Sequence, residues 1–546
     1  MTSEKTTPAD IPSPPEPTAA ASPRRRKPRI WFWLLIGLAL GGIVAVQATA
    51  TAGATDHANA NVATVVLGLV AVLTPACWFV FRSGYSRRMR YGFLIAGLVT
   101  VGLLSAALRI EQVSGELVPR FAFRWQARAD WTLEKPAEHA GHVDVATTTP
   151  QDFPQFLGPQ RNAAVTHVQL ARDWQNRPPQ RLWRIPIGAG WSSFAVVNGF
   201  AVTMEQRGDE ELVTCYEVTT GQLQWSHGVQ ARHSTTPGGI GPRATPTVHQ
   251  GRVYALGATG VLRCLDGATG DLVWTVDLLQ QIGVTPDQDA YAVKWGRANS
   301  PLIVDDTVVV PVGGRAGGPC MTLAAYRLDN GQLVWTGGTR QASYSSPALA
   351  TLCGVRQILI VCEDYVAAHR PEDGAALWEF DWPGKSTSNA SVSQAVPLPG
   401  DHVLLSKGYS VDSQLLHVGR DPQGGWLVES VWQNKNVLRT KFTNVVVRDG
   451  FVYALSDGVL QCVEWATGRR CWKAGRYGHG QVLGVDDLLL VQAETGKVVL
   501  IAASPESPQV LGQLDALRGQ TWNNPALYGH FLLVRNSEEA TCFQLP

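Results

Sequence analysis

Apolar and polar positions alternate through Val253–Ala255 and again through Val261–Leu265, the period of a half-buried strand. The tight turn Asp266-Gly267-Ala268-Thr269-Gly270 comes next, combining an aspartate that caps its own backbone with glycines that tolerate positive φ. A further apolar strand then ends in Trp274. The unit recurs, with tryptophan always four residues after the turn glycine: Gly221/Trp225, Gly270/Trp274, Gly331/Trp335, Gly374/Trp378 and Gly468/Trp472. Self-similarity at a period of roughly 40–60 residues, with several strands per unit, predicts the blades of a β-propeller.

Strand-ending tryptophans number the blades: Trp183, Trp225, Trp274, Trp335, Trp378, Trp432 and Trp472. Trp432 comes after a longer, degenerate hairpin, Leu415–Val431, and an eighth unit ending near Leu511 has no tryptophan. Three more strands are expected around Asn524–Leu527, Phe531–Arg535 and Thr541–Gln544, after which the chain stops where a fourth should come. Gln180–Pro186 is a tryptophan strand with no blade in front of it, so it is expected to complete the last blade. The predicted fold is all-β, an eight-bladed propeller closed by an N-terminal strand, with each tryptophan filling the wedge between blades.

The hydropathy pattern changes before the propeller. Ile30–Ala50, Val62–Phe81 and Tyr91–Leu108 are uncharged apolar runs near the ~20 residues that span a bilayer. A Pro-, Ser-, Thr- and Ala-rich tail, residues 1–29, precedes them and is expected to be disordered. Arg24, Arg25, Arg26, Lys27 and Arg29 lie before the first run, and Arg82, Arg87, Arg88 and Arg90 lie between the second and third. The positive-inside rule places both clusters in the cytoplasm and the chain beyond residue 110 on the exoplasmic side of an inner membrane. Arg109 alone runs against it. Residues 111–150 are predicted to be a polar linker and 151–546 the propeller. A net charge of +1 over 546 residues gives no basis for a nucleic-acid partner.

The repeat resembles the PQQ-enzyme repeat, Ala-x-Asp-x-x-Thr-Gly-x-x-x-Trp, whose places are taken here by Cys264, Asp266, Thr269, Gly270 and Trp274. Phe153-Pro154-Gln155-Phe156-Leu157-Gly158-Pro159 is similar to the lead-in of PQQ-binding-like propellers, and Trp295–Leu302 and Ala342–Pro347 to their polar strand starts. The resemblance implies one of two functions. Quinoprotein dehydrogenases oxidise alcohols or sugars with pyrroloquinoline quinone (PQQ) and usually calcium, some with adjacent cysteines over the cofactor. BamB-like members are non-catalytic protein-binding scaffolds. Fold alone does not choose between them.

The candidate chemistry bears on that choice. Calcium wants about six to eight oxygen ligands, carboxylates among them, and alcohol oxidation needs a carboxylate base. The strand starts expected to face the central funnel carry no Asp or Glu; Asp287 and Asp289, the nearest acids, are expected in a solvated loop. There is no Cys-Cys pair. Cys215, Cys264, Cys462 and Cys542 share one repeat position and are expected to be core packing, while Cys353/Cys362 and Cys462/Cys471 are possible disulfides in an oxidising compartment. No spacing predicts a metal site. Arg243, Arg297, Asn299, Lys441, Asn444, Trp522 and Asn523 are the candidate ligand-binding residues, either converging on an anion or partner at the funnel or bracing neighbouring blades. The expectation is a membrane-anchored, non-catalytic scaffold for a ligand or protein, needing no cofactor; the alternative is a membrane-anchored PQQ- and calcium-dependent alcohol or sugar dehydrogenase.

Overall fold

A computed structural model describes residues 27–52, 55–133, 143–166, 168–236, 238–383, 390–409, 411 and 413–546. The expected disordered tail lies, up to residue 26, outside the described residues. The chain divides into two compact units, 1–108 and 109–546.

The first unit contains three helices long and apolar enough to cross a membrane: Ile30–Thr51, His57–Arg82 and Arg87–Ala107. The second and third begin earlier than their apolar runs because the capping residues lie outside those runs. The Asp56 carboxylate accepts from the Ala58 N–H at 2.7 Å, and the Ser86 hydroxyl accepts from the Met89 N–H at 3.4 Å. Gln47 joins the first two helices, donating to Asn61 and Thr64 at 3.2 and 2.9 Å.

The second unit is an eight-bladed propeller of antiparallel sheets. Blade 1 comprises Ala195–Val197, Phe200–Arg207, Glu210–Glu217 and Leu223–Gln230, running from the axis outward. The inner strands of blades 2 to 8 begin at Thr247, Leu302, Ala348, Val396, Val446, Gln481 and Ala526. The outermost strand of blade 8 is Gln180–Pro186, paired with Glu539–Gln544. Ala164–Val165 adds a parallel strand beside the inner strand of blade 7.

The wedge between blades has a repeating chemistry. Each third strand places a residue opposite the wedge tryptophan: Cys215 faces Trp225, Cys264 Trp274, Ala325 Trp335, Ala368 Trp378, Cys462 Trp472 and Cys542 Trp183. It is cysteine or alanine in these six blades, where the indole fills most of the space, and Leu415 stands opposite Trp432 in blade 5. These four cysteines are fully buried, and all nine in the chain are free thiols, including Cys353, Cys362 and Cys471.

The indole N–H then reaches the next blade. Trp183, Trp225, Trp274, Trp335, Trp432 and Trp472 donate to the carbonyls of Val218, Gly267, Leu328, Pro371, Trp465 and Ser504 at 2.7–2.9 Å. The turn glycine of that next blade lies flat on the ring. A Cβ at Gly270, where φ is +79°, would stand 2.7 Å from Trp225. Glycine is required there by both the backbone conformation and the close approach. Trp378 is the exception. The blade after it has the degenerate hairpin, whose turn at Asp421–Gly425 lies beyond the register of the others, and Trp378 instead donates to Gln357 of its own blade at 2.8 Å.

The eighth wedge is filled from elsewhere. Gly512 stands opposite Leu500, where the other blades carry tryptophan, and the buried Trp174 covers it. A Cβ on Gly512 would lie 2.5 Å from the Trp174 Cβ. The indole therefore comes from the segment before the propeller, opposite a glycine and a leucine rather than a tryptophan and a cysteine.

Within residues 111–150, expected as a polar linker, the described residues 111–133 and 143–150 make contacts with the propeller. Leu108–Val113 and Pro119–Phe123 form a hairpin whose Gly115 N–H donates to Glu494 of blade 7 at 2.7 Å. Arg232 of the propeller reaches Asp130 at 2.7 Å, and Val143 and Val145 are buried in the core between blades 1 and 2.

Trp174→Ala is expected to cost about 3–5 kcal/mol, the usual range for a buried tryptophan, comparable with Trp183→Ala. Urea unfolding of the full chain in detergent measures both. A Trp174→Ala protein as stable as wild type would remove its assignment as the eighth wedge.

Candidate functional site

The inner strands begin at one end of the ring, here the apical end, and their polar pairs ring the axis. In the structure these starts join blade to blade at every junction. Asn523 of blade 8 donates to the Gly190 and Ser192 carbonyls at 3.2 and 2.7 Å. The Ser193 N–H donates to Thr245, Thr245 N–H to Ser300 and Ser300 N–H to Ser346, at 3.1, 2.9 and 2.8 Å. Asn299 donates to the Ser343 and Ser345 carbonyls at 3.0 and 2.6 Å, and the Ser391 N–H donates to Ser343 at 2.8 Å. The Gln394 N–H donates to Asn444 at 3.0 Å. Gln481 completes the circuit, donating to the Phe442 and Trp522 carbonyls at 3.2 and 2.8 Å. Asn299, Asn444 and Asn523 are thus members of a buried belt, where each missing partner would leave a desolvated polar group.

Of the three cations, Arg297 and Lys441 each lie beside a carboxylate, and Arg243 donates to backbone carbonyls. Arg297 is fully buried, donating to Asp289 at 2.6 Å and to the Val312 carbonyl at 2.6 Å. Asp289 is therefore not a solvated loop acid. It sits on the helix Pro286–Ala292, capped by Thr285 and Gln288, which turns it inward. Burial still raises its pKa, and Arg297 opposes the rise. Lys441 lies 3.9 Å from Asp457. Arg243 donates to the carbonyls of Gly238, Gly239 and Gly241. Trp522 packs between Trp191 and Phe442, with ring centroids 4.8 and 4.7 Å away, and donates to Glu494 at 3.0 Å.

Several acids of the propeller were not expected from the sequence. Glu205 and Glu211 are buried; Glu211 pairs with the fully buried Arg263 of blade 2 at 2.8 Å, and Glu205 with Arg207 at 2.9 Å. Glu205 shares a strand face with Ala201 and Thr203, and Glu211 with Val213 and Cys215, all buried. Glu494 accepts from Gly115 N–H, His479 N–H and Trp522 at 2.7–3.0 Å. Glu363 of blade 4 has its pKa pushed up to about 7, by burial first and Asp364 second, with Lys407 opposing. The buried Lys407 donates to Ser391 at 2.7 Å, and burial lowers it to about 8.

No three His, Cys, Asp or Glu side chains among the described residues form a group able to hold a metal ion. The amide donors of Asn299 and Asn523 point at backbone carbonyls rather than at free space for a quinone's carboxylates. Glu494, the acid best placed beside the funnel aromatics, already accepts three hydrogen bonds.

The repeat and the ring define the class. Residues 173–352 and 354–509 match the family model described as "Outer membrane protein assembly factor BamB", and the chain belongs to that PQQ-like repeat family. Solved structures share the fold. A europium-containing methanol dehydrogenase is 10% identical with a TM-score of 0.54, covering 73% of this chain and 99% of its own. The quinohemoprotein alcohol dehydrogenase of Comamonas testosteroni is 13% identical with a TM-score of 0.52, covering 73% and 82%. BamB from Moraxella catarrhalis is 15% identical with a TM-score of 0.47, covering 67% and 100%. No curated relative matches the sequence.

This geometry makes two outcomes measurable. Arg297→Met is expected to cost about 3–5 kcal/mol, because it strands Asp289 as a buried unpaired charge, and Arg297→Met combined with Asp289→Leu should cost less than the sum of the singles. Additive losses in urea unfolding would mean that the pair is uncoupled. Glu363 binds a proton more tightly folded than unfolded, so its contribution falls as pH rises from about 4.5 to about 7. Glu363→Gln should flatten that limb of the stability–pH curve; an unchanged slope contradicts the assignment.

Proposed function

We propose that this protein is a membrane-anchored scaffold whose propeller lies on the exoplasmic side and binds a protein partner without redox chemistry. The observation that carries the reading is the belt: polar strand starts at all eight junctions are bonded to neighbouring blades, and the funnel's cations have carboxylate or carbonyl partners of their own. Family membership is compatible with both scaffold and enzyme. The arginine clusters flanking the three apolar helices support the orientation. On the propeller, the short helix Pro286–Ala292 presents Tyr291 at 79% exposure, an aromatic residue of the kind enriched at protein interfaces.

The alternative, a PQQ-dependent alcohol or sugar dehydrogenase, has one observation in its favour: Glu494 beside Trp522 and His479 puts an acid at the funnel after all.

Purified full-length protein given PQQ and calcium is expected to reduce no dye with alcohols or sugars and to show no change in tryptophan fluorescence. PQQ-dependent dye reduction would make the enzyme reading the correct one. In intact spheroplasts, external protease should digest the propeller, and a photocrosslinker at position 291 should give a discrete adduct. A protected propeller would reverse the orientation, and no adduct would remove this face as the contact.

A further inference from the structure

The lead-in segment crosses the ring beside the inner strands, here the basal side, and its Arg161 reaches back to the strand starts. Phe153 bridges Val196 of blade 1, and the Pro154 carbonyl accepts from the Val248 N–H of blade 2 at 2.8 Å. The Ala163 carbonyl accepts from the Gly484 N–H of blade 7 at 2.8 Å. Between these anchors Arg161 reaches blade 3, donating to the Ser300 and Pro301 carbonyls at 3.1 and 2.9 Å, while its own carbonyl accepts from Gln394 of blade 5 at 3.0 Å. Leu157, Arg161 and Ala163 all have φ between +53° and +61°, a left-handed backbone that non-glycine residues adopt at a cost.

Above this crossing lies a cavity of about 410 Å³, bounded by the lead-in and the inner strands of blades 3 to 6. Its volume is within the range of small-molecule pockets, about 300–1,000 Å³. Its lining includes the apolar Leu302, Ile303 and Leu349 and the polar Arg161, Gln394 and Asn444. Leu349 is 38% exposed, so the cavity has a route to solvent along blade 4.

Arg161 is the unusual member. It is 94% buried, at 6% exposure, and its hydrogen-bond acceptors are neutral: the two carbonyls and Gln155 at 3.3 Å. Among the described residues no carboxylate pairs with it, and its Nε–H has no partner. The fully buried Arg263 and Arg297 are paired with Glu211 and Asp289, whereas Arg535, also fully buried, donates to the Thr203 hydroxyl and the Met204 and Gly188 carbonyls. A buried guanidinium left with neutral acceptors makes the space beside it electropositive, because low-dielectric walls focus the field. Burial also lowers its pKa to about 9.

We propose that the basal cavity is a binding site for a small organic carboxylate, with Arg161 as the counter-charge and the Leu302, Ile303 and Leu349 side chains receiving the apolar body. The guanidinium has five N–H donors and uses three, so donors remain for a carboxylate. The site shares Asn444, Gln394 and the Ser300 carbonyl with the belt, but the scaffold reading concerns a protein partner and this one a ligand of the cavity, so failure to bind hexanoate leaves the scaffold reading standing.

The test uses full-length protein in detergent, with hexanoate, hexanamide and inorganic phosphate as probes, read by saturation-transfer NMR and by thermal stabilisation. Hexanoate is expected to show transfer to its methylene chain and to raise the unfolding temperature, with hexanamide at least roughly tenfold weaker. Arg161→Gln should abolish hexanoate binding and Arg161→Lys should restore part of it. Leu349→Trp fills the apolar lining without touching Arg161, and should abolish binding in a folded protein even if Arg161→Gln does not fold. Equal binding of hexanamide, binding that survives Leu349→Trp, or no transfer from hexanoate to wild type would each overturn the proposal. Phosphate binding as tight as hexanoate would show a bare anion site and overturn the organic-acid assignment.

Discussion

The propeller depends on one contact made repeatedly: an indole ring lying between a small residue on its own blade and a turn glycine on the next, with its N–H on that turn's carbonyl. Trp225 shows all three parts, facing Cys215, lying under Gly270 and donating to Gly267. The ring must close after eight equal rotations, so each wedge must have nearly the same thickness. An indole sets that thickness through its size, and burying it contributes more than any polar contact at the same place. Where one part is altered, another compensates. Trp378, deprived of its turn, bonds to Gln357, and Gly512, lacking a ring, is covered by Trp174.

Closer to the axis the constraint changes from volume to hydrogen bonding. Inner strands of three to five residues converge there, and their starts have lost both solvent and regular ladder partners. Serine, threonine and asparagine satisfy the orphaned groups across each junction. The same chemistry would serve a ligand, and the geometry distinguishes the two uses: the Asn299 and Asn523 amides are directed at neighbouring backbone. The arginines obey the same logic, each buried one near the axis meeting an acid or a set of carbonyls. Arg161 meets carbonyls and one amide alone, on a loop that crosses the ring beside the inner strands.

The repeat, the number of blades and the three apolar helices were legible in the sequence because each is a local periodic signal. Apolar alternation with a turn glycine and a tryptophan four residues on is a property of about twenty consecutive residues, and a membrane-length apolar run is another. The four buried cysteines were legible for the same reason, sharing one repeat position opposite the indole. Glu205 and Glu211 share strand faces with other buried residues, yet no local pattern singled them out.

Only the tertiary structure decided which polar groups are free. Asp289 lies eight residues before Arg297, yet a capped helix is what turns it onto the guanidinium. Glu494 and Gly115 are separated by hundreds of residues, as are Trp174 and Gly512, and no local pattern ties either pair. The stretch after the third helix has little periodicity because it forms one hairpin and isolated contacts rather than a repeated element, so its docking on the propeller left no signature. Periodic burial is written along the chain, whereas the partner of a buried charge is set by which blades the ring brings side by side.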